Sequence, residues 1–282
     1  MDTPLQKYYH QRVQNIFNSL HNFELNGSEP SLHDVRIELK KLRAVIRFLR
    51  KVYHRHTLKR SARLVNHIFQ AAGEIRTFQI LQEWLKKWEL PAIEQQFFSE
   101  GRVHYLTENF NQKSTDFKAD IKEAIEQITP YVQSTNSILC EQYLLSLQSE
   151  IELLLHKNAS TTEWHDLRKL MKQWLYANNW IEDMAKSEKL HSTYAFYNKL
   201  QEAIGQWHDI MMVQEMFERK QLHLSDDVEV QKDLSIGKEK MLQQLKQKQK
   251  WVVELIEQSK NLPSTNLHHQ SNPITNGNAM HS

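Results

Sequence analysis

Glycine and proline are scarce, six of each in 282 residues, which leaves few turn signals for β-hairpins. Pro4, Pro30, Pro91 and Pro130 each stand where an apolar-periodic stretch begins, a position at which a helix tolerates the missing N–H, while Pro263 and Pro273 fall in a polar tail. One cysteine, Cys140, excludes an intramolecular disulfide framework and a cysteine-based zinc cluster and points to a reducing compartment. No apolar run reaches membrane-spanning length, and the segment from Met1 to Lys7 is not an apolar leader. The expectation is a soluble, cytoplasmic protein without a membrane partner. Charge of one sign is not in excess either. The 36 Lys and Arg against 34 Asp and Glu give +2, which by itself requires no polyanionic partner.

Helical periodicity, by contrast, runs almost throughout. Apolar residues make up 40% of the chain, enough for a proper core in one large domain or two small ones. The pattern predicts helices at roughly 4–24, 31–54, 57–89, 91–128, 130–157, 161–186, 189–220 and 226–260. Ser31, three residues before Asp34, and Ser160, three before Glu163, read as N-cap signatures. From Pro263 on, Ser, Asn, Thr, His and Pro predominate, so residues 263–282, with His268, His269 and His281, are expected to form a disordered polar tail.

One pattern occurs twice, offset by 132 residues. His33-Asp34-Val35-Arg36 with Lys40 matches His165-Asp166-Leu167-Arg168 with Lys172, and Gly73-Glu74-Ile75-Arg76 falls on Gly205-Gln206-Trp207-His208 at the same offset. One offset serving two distant segments argues for a duplicated unit. We divide it at about 4–150 and 151–262. The copies differ in charge. Ser31 to Arg76 holds twelve cations against three acids, a local +9, whereas Glu163 to Asp209 holds six cations and seven acids.

At 100° per residue, Arg36, Lys40, Arg43, Arg47 and Arg50 form one stripe, about 25 Å long with His33 at its head. Val35, Leu39, Leu42, Ile46, Leu49 and Tyr53 form the core face beside it. The stripe therefore belongs at the lip of a groove, and its self-repulsion costs on the order of 1–2 kcal/mol without a counter-anion. Uncompensated charge beside low-dielectric walls fits an entering polyanion, and arginine adds planar recognition of phosphate oxygens. A basic, solvated flank is the plainer alternative, and repetition at His165 argues against it. His33 and His165 read either as local hydrogen-bonding residues or as donors to a phosphate at a helix N-terminus. Gly73 and Gly205 read as close-packing positions between helices. Arg63 and Arg76 extend the basic set.

These motifs resemble the CHAD family, the conserved histidine α-helical domain, over about residues 4 to 260. The resemblance implies an all-α fold of two helical bundles related by a pseudo-twofold axis around a central basic channel, a CHAD-like domain over 1–262 here. It further implies non-catalytic binding of inorganic polyphosphate, often at polyphosphate granules or beside polyphosphate-metabolising enzymes, with no cofactor. Carried over by position, His33, Arg36, Lys40, Arg43 and Arg47 match the first motif and His165, Arg168 and Lys172 the second. Leu175 and Asn179 replace the second-copy counterparts of Arg43 and Arg47, and Thr77 and Gln79 stand where acids are usual after the first-copy arginine.

Two other function classes compete. Binding to single-stranded nucleic acid or RNA would use the same cations, but stacking needs interleaved aromatics, and only Phe48 and Tyr53 lie near the stripe. A di-iron bundle enzyme needs two Glu-x-x-His pairs, and Glu188 with His191 has no counterpart. Phosphate hydrolysis would need carboxylates for a metal, and Asp34 and Asp166, the matched acids, also read as ordinary helix-start residues. Glu150-Ile151-Glu152 lacks the following lysine of a triphosphatase tunnel and reads as helix. The expectation is a non-enzymatic binding protein with no metal.

Overall fold

The computed structural model describes residues 2–98, 101–181, 188–220 and 227–260, and among them every regular element is a helix. They are α1 (Pro4–Asn26), α2 (Glu29–Tyr53), α3 (His56–Trp88), α4 (Pro91–Phe98), α5 (Arg102–Gln112), α6 (Ser114–Ser134), α7 (Ser137–His156), α8 (Trp164–Ala177), α9 (Glu188–Lys220) and α10 (Val228–Ser259). A 3-10 turn, Asn178–Trp180, follows α8. None of the described helices is long and apolar enough to cross a membrane. The tail 263–282 and its histidines lie outside the described residues, as does the 182–186 end of the expected helix 161–186.

Local chemistry sets most boundaries. Thr3 and Gln6 close a reciprocal capping box at the start of α1, and Gly27, at φ 57°, ends it in the left-handed region. Ser28, not Ser31, caps α2. The motif helix therefore starts two residues earlier than expected, and His33 lies beyond the free N–H groups of its first turn. The expected helix 91–128 is three helices. Gly101, at φ 60°, stands between α4 and α5, and a kink at Lys113 separates α5 from α6. Pro130, expected to open a helix, lies inside α6, and the break comes at Thr135 and Asn136, where the Asn136 side chain accepts from Leu139 N and starts α7. The short α4 is held from a distance: Asp233 of α10 accepts from Ala92 N and Ile93 N at 2.9 and 3.4 Å.

Moved by 132 residues, α3 falls on the described stretch of α9, and its 33 residues measure roughly 50 Å. α1, α2 and α3 pack in sequence, as do α7, α8 and α9; α6 then covers α3, and α10 covers α9. The main core runs through most of the helices, with Trp164, Trp174 and Trp180 fully buried. A second cluster joins the far halves of α3 and α9 to α4 and α10. Where α2 crosses α8, Gln173 donates to the Ala44 carbonyl at 2.8 Å and accepts from Arg47 at 3.2 Å. Trp180 lies beside this crossing, against Tyr8, Phe48 and Tyr143. Residue 150, where the sequence divides the two units, falls inside α7.

Candidate functional site

The α2 stripe divides at the molecular surface. Val35, Leu39, Leu42, Ile46 and Leu49 are buried, Arg36, Lys40 and Arg43 are half-buried beside them, and His33, Arg47 and Arg50 are exposed. Arg36 donates to the Phe69 carbonyl on α3 at 3.2 Å. The guanidinium carbons of Arg36 and Arg43 lie 4.5 and 4.1 Å from the centroid of the Phe69 ring. Two like charges are thus seated on one aromatic, whose negative face offsets part of their repulsion. Gly73 provides the room, since a Cβ there would come within 2.9 Å of Arg36 Nη1.

The second motif repeats this seating. Arg168 donates to the Gln201 carbonyl at 3.1 Å, again 33 residues downstream, and a Cβ on Gly205 would meet its Nη2 at 2.8 Å. The aromatic is missing from this copy. Gln201 stands at the Phe69 position, and Leu175, which is buried, at that of Arg43. Lys172 faces Lys40 across the α2/α8 junction. Burial first, then Lys172, Arg36 and Arg168, push the Lys40 ammonium down to about 7, while Asp209 on α9 opposes the shift. Burial and Arg168 bring Lys172 to about 8. Desolvation, with Arg76 and Arg43, likewise disfavours charge on Arg36, although its guanidinium stays protonated.

Among the described residues, no carboxylate lies within 4 Å of Arg36, Lys40, Arg43, Arg47, Arg50, Arg63, Arg168 or Lys172. Glu38, the nearest acid in the α2 sequence, is taken by Arg12 and Lys41 at 3.1 and 2.8 Å. Arg76 stands apart from the set, bridging Glu29 and Glu83. Arg63 is exposed on α3. His165 stacks on His208 of α9 with centroids 5.2 Å apart. Partial burial and adjacent cations hold His33, His165 and His208 below the usual imidazole value. Asp34 is exposed, and Asp166 pairs with Lys169 at 3.1 Å. No group of three or more His, Cys, Asp or Glu among the described residues could hold a metal ion.

Three participants were not among the expected site residues. Phe69 carries no sequence signal, because its role depends on α3 lying antiparallel to α2. Asp209 follows directly on the second aligned segment, and burial raises its pKa against the pull of Arg168, His208, Arg76 and Lys40. Gln173, next to the motif lysine, is the third. The aromatics expected near the stripe are engaged elsewhere: Phe48 packs on Tyr143 and Trp180, and Tyr53 on Tyr131. No curated protein and no solved structure matches this chain. The profile of the CHAD domain does match, over residues 20–218, and the chain belongs to the CHAD domain family.

Proposed function

We propose that this protein binds inorganic polyphosphate, without cleaving it, in a basic channel between two helical bundles related by a pseudo-twofold axis. The observation that carries the reading is a desolvated row of cations on α2, Arg36, Lys40 and Arg43, met at Lys40 by Lys172 and Arg168 on α8, with no carboxylate within 4 Å among the described residues. Such an arrangement is unfavourable in the free protein and is relieved by a multivalent anion. Arg36 spends one N–H on the Phe69 carbonyl, which fixes the guanidinium plane, and its other donors remain for phosphate oxygens. The twin seats of Arg36 and Arg168 and the repeated packing order, α1 to α3 and α7 to α9, support the two-bundle symmetry. His33, Arg47, Arg50, Arg63 and His165 are more exposed and would extend the field, whereas Arg76 is offset by Glu29 and Glu83. Asp34 is exposed and Asp166 pairs with Lys169, which fits helix-start acids better than metal ligands. Membership of the CHAD family supports the choice of ligand and its setting, polyphosphate granules or polyphosphate-metabolising enzymes in the cytoplasm.

Nucleic acid is the natural competitor for any phosphate-binding groove. The aromatic within the cluster, Phe69, lies under two guanidinium groups and offers little face for a base. The test is titration with long-chain polyphosphate, with single-stranded RNA of equal charge and orthophosphate as competitors, over a range of salt. Arg36→Ala combined with Arg43→Ala should weaken polyphosphate binding by at least about tenfold, and affinity should fall steeply with salt. Undiminished affinity in the double variant, or a preference for RNA, sinks the proposal.

A further inference from the structure

The row of cations does not end at the α2/α8 crossing. Beyond Arg47, where α2 turns into α3, a cleft of about 460 Å³ is lined by Arg47, Arg50, Lys51, His54, Arg55 and Lys59. It has no acid in its lining. Lys51 is held at its edge by Ser146 and Glu150 of α7 at 3.2 and 2.9 Å. Among the described residues, Arg47, Arg50, Arg55 and Lys59 have no carboxylate within 4 Å.

Helix electrostatics accounts for half of this cluster. Arg50 and Lys51 occupy the last turn of α2, where cations complement the negative end of the macrodipole. Arg55 and Lys59 occupy the opposite kind of position. Arg55 is the N-cap of α3 and makes no side-chain cap bond, Lys59 lies in the first turn, and that turn contains no acid. Cations there oppose the positive end of the dipole. With Arg55 and Lys59 the corner therefore concentrates charge that α3 does not need, in a concave place. Arg47 belongs both to this cleft and to the crossing, where it donates to Gln173, and Arg43 precedes it by one turn. The positive path is thus continuous from Arg36 to Arg50, about 21 Å along the helix axis, and then into the cleft.

We infer that the ligand tract runs along α2 from the Arg36/Lys172 junction into the α2–α3 corner, so that the protein selects long polyphosphate chains over short ones. This rests on the polyphosphate reading above and adds Arg55 and Lys59 to the binding residues. A short oligophosphate fills the junction alone. A long chain reaches both places and gains from the corner as a tethered second contact.

The experiment is calorimetric titration of the full chain with tripolyphosphate and with long-chain polyphosphate, for the unaltered protein, for Arg55→Ala/Lys59→Ala, and for Arg36→Ala/Arg43→Ala. Both residues of the corner variant are exposed, so its thermal unfolding should match that of the parent. The corner variant is expected to bind long chains several-fold more weakly, with the slope of log affinity against log salt reduced by about 1.5, and to bind tripolyphosphate as the parent does. Unchanged long-chain affinity in the corner variant, while the junction variant loses binding, overturns the corner and leaves the function reading intact. An equal loss for both ligands also overturns it, because the corner would then not discriminate length. Failure of the unaltered protein to bind either ligand removes both proposals together.

Discussion

Arg36 and Arg168 occupy the same seat in their two copies: a carbonyl 33 residues on accepts their hydrogen bond, and a glycine 37 residues on leaves space for the guanidinium. What has diverged is the second cation and the aromatic beneath it, Arg43 and Phe69 in one copy, Leu175 and Gln201 in the other. The paired change is physically consistent, since an aromatic seat for two guanidinium groups loses half its purpose when one becomes leucine. Gly73→Ala isolates the seat. The new methyl would displace Arg36 Nη1 from 2.9 Å, which a flexible side chain can accommodate by leaving the Phe69 carbonyl. Alanine gains about 0.8–1 kcal/mol of helix propensity over glycine, so unfolding should shift little while polyphosphate affinity drops several-fold. Parental affinity in Gly73→Ala would show that the glycine does not set the guanidinium. The sequence made the two glycines legible as close-packing positions. It could not indicate what they pack against, because spacing along one helix does not say which neighbour a residue faces.

At the scale of elements, most helices could be read from periodicity, and the misreadings share a cause. Ser28 and Ser31 are both acceptable caps, and Ser28 prevails because Ser31 Oγ is satisfied by Asn26 and by the Ser28 carbonyl, at 2.7 and 2.9 Å. Pro130 resembles a helix opener, yet α6 runs on past it because Phe117, Ile121, Ala124, Ile128 and Val132 continue one buried face. The segment 91–128 keeps helical periodicity across its breaks, so a glycine and one kinked residue divide it without disturbing the apolar pattern. Tertiary packing chose among locally equivalent signals, and the contact between α2 and α8 likewise left no mark in the sequence. Gln173, almost fully buried there, bonds both Ala44 and Arg47 of α2. Gln173→Leu keeps the volume and removes both bonds. Ala44 retains its own helical partner and Arg47 turns to water, so the loss should be about 1 kcal/mol, read as a lower urea midpoint at an unchanged slope. Gln173→Ala should cost more, roughly 2 kcal/mol, by adding a cavity. If Gln173→Leu unfolds like the parent, the two bonds do not hold the crossing.

For the whole molecule, charge balance ties stability to ligand. Lys40 is faced by Lys172 and Arg168 from α8, by Arg36 on its own helix and by Asp209 from α9, and burial with the three cations brings it from 10.5 to about 7. The folded value lies below the unfolded one, so between about pH 7 and 10.5 the unfolded chain binds the extra proton and the stability of the free protein rises with pH from this group. A polyphosphate beside the ammonium restores the charged form. The complex then holds a proton that the free protein lacks, so affinity should fall as pH rises through 7 to 9, and this group adds nothing further below its free value. Lys172, at about 8, contributes in the same direction. Titration at pH 8 in two buffers of different ionisation enthalpy should therefore register net proton uptake of up to about one per site. Lys40→Met should reduce that uptake, weaken binding at neutral pH and raise the melting temperature of the free protein by a few degrees, since it removes a desolvated charge repelled by three others. The opposite signs of the last two effects are the decisive feature. A merely structural lysine would lose stability and affinity together, whereas one held for a polyanion loses affinity as the fold becomes more stable. Binding at pH 8 without proton uptake, or a destabilised Lys40→Met protein, would show that the ammonium is satisfied by the fold itself.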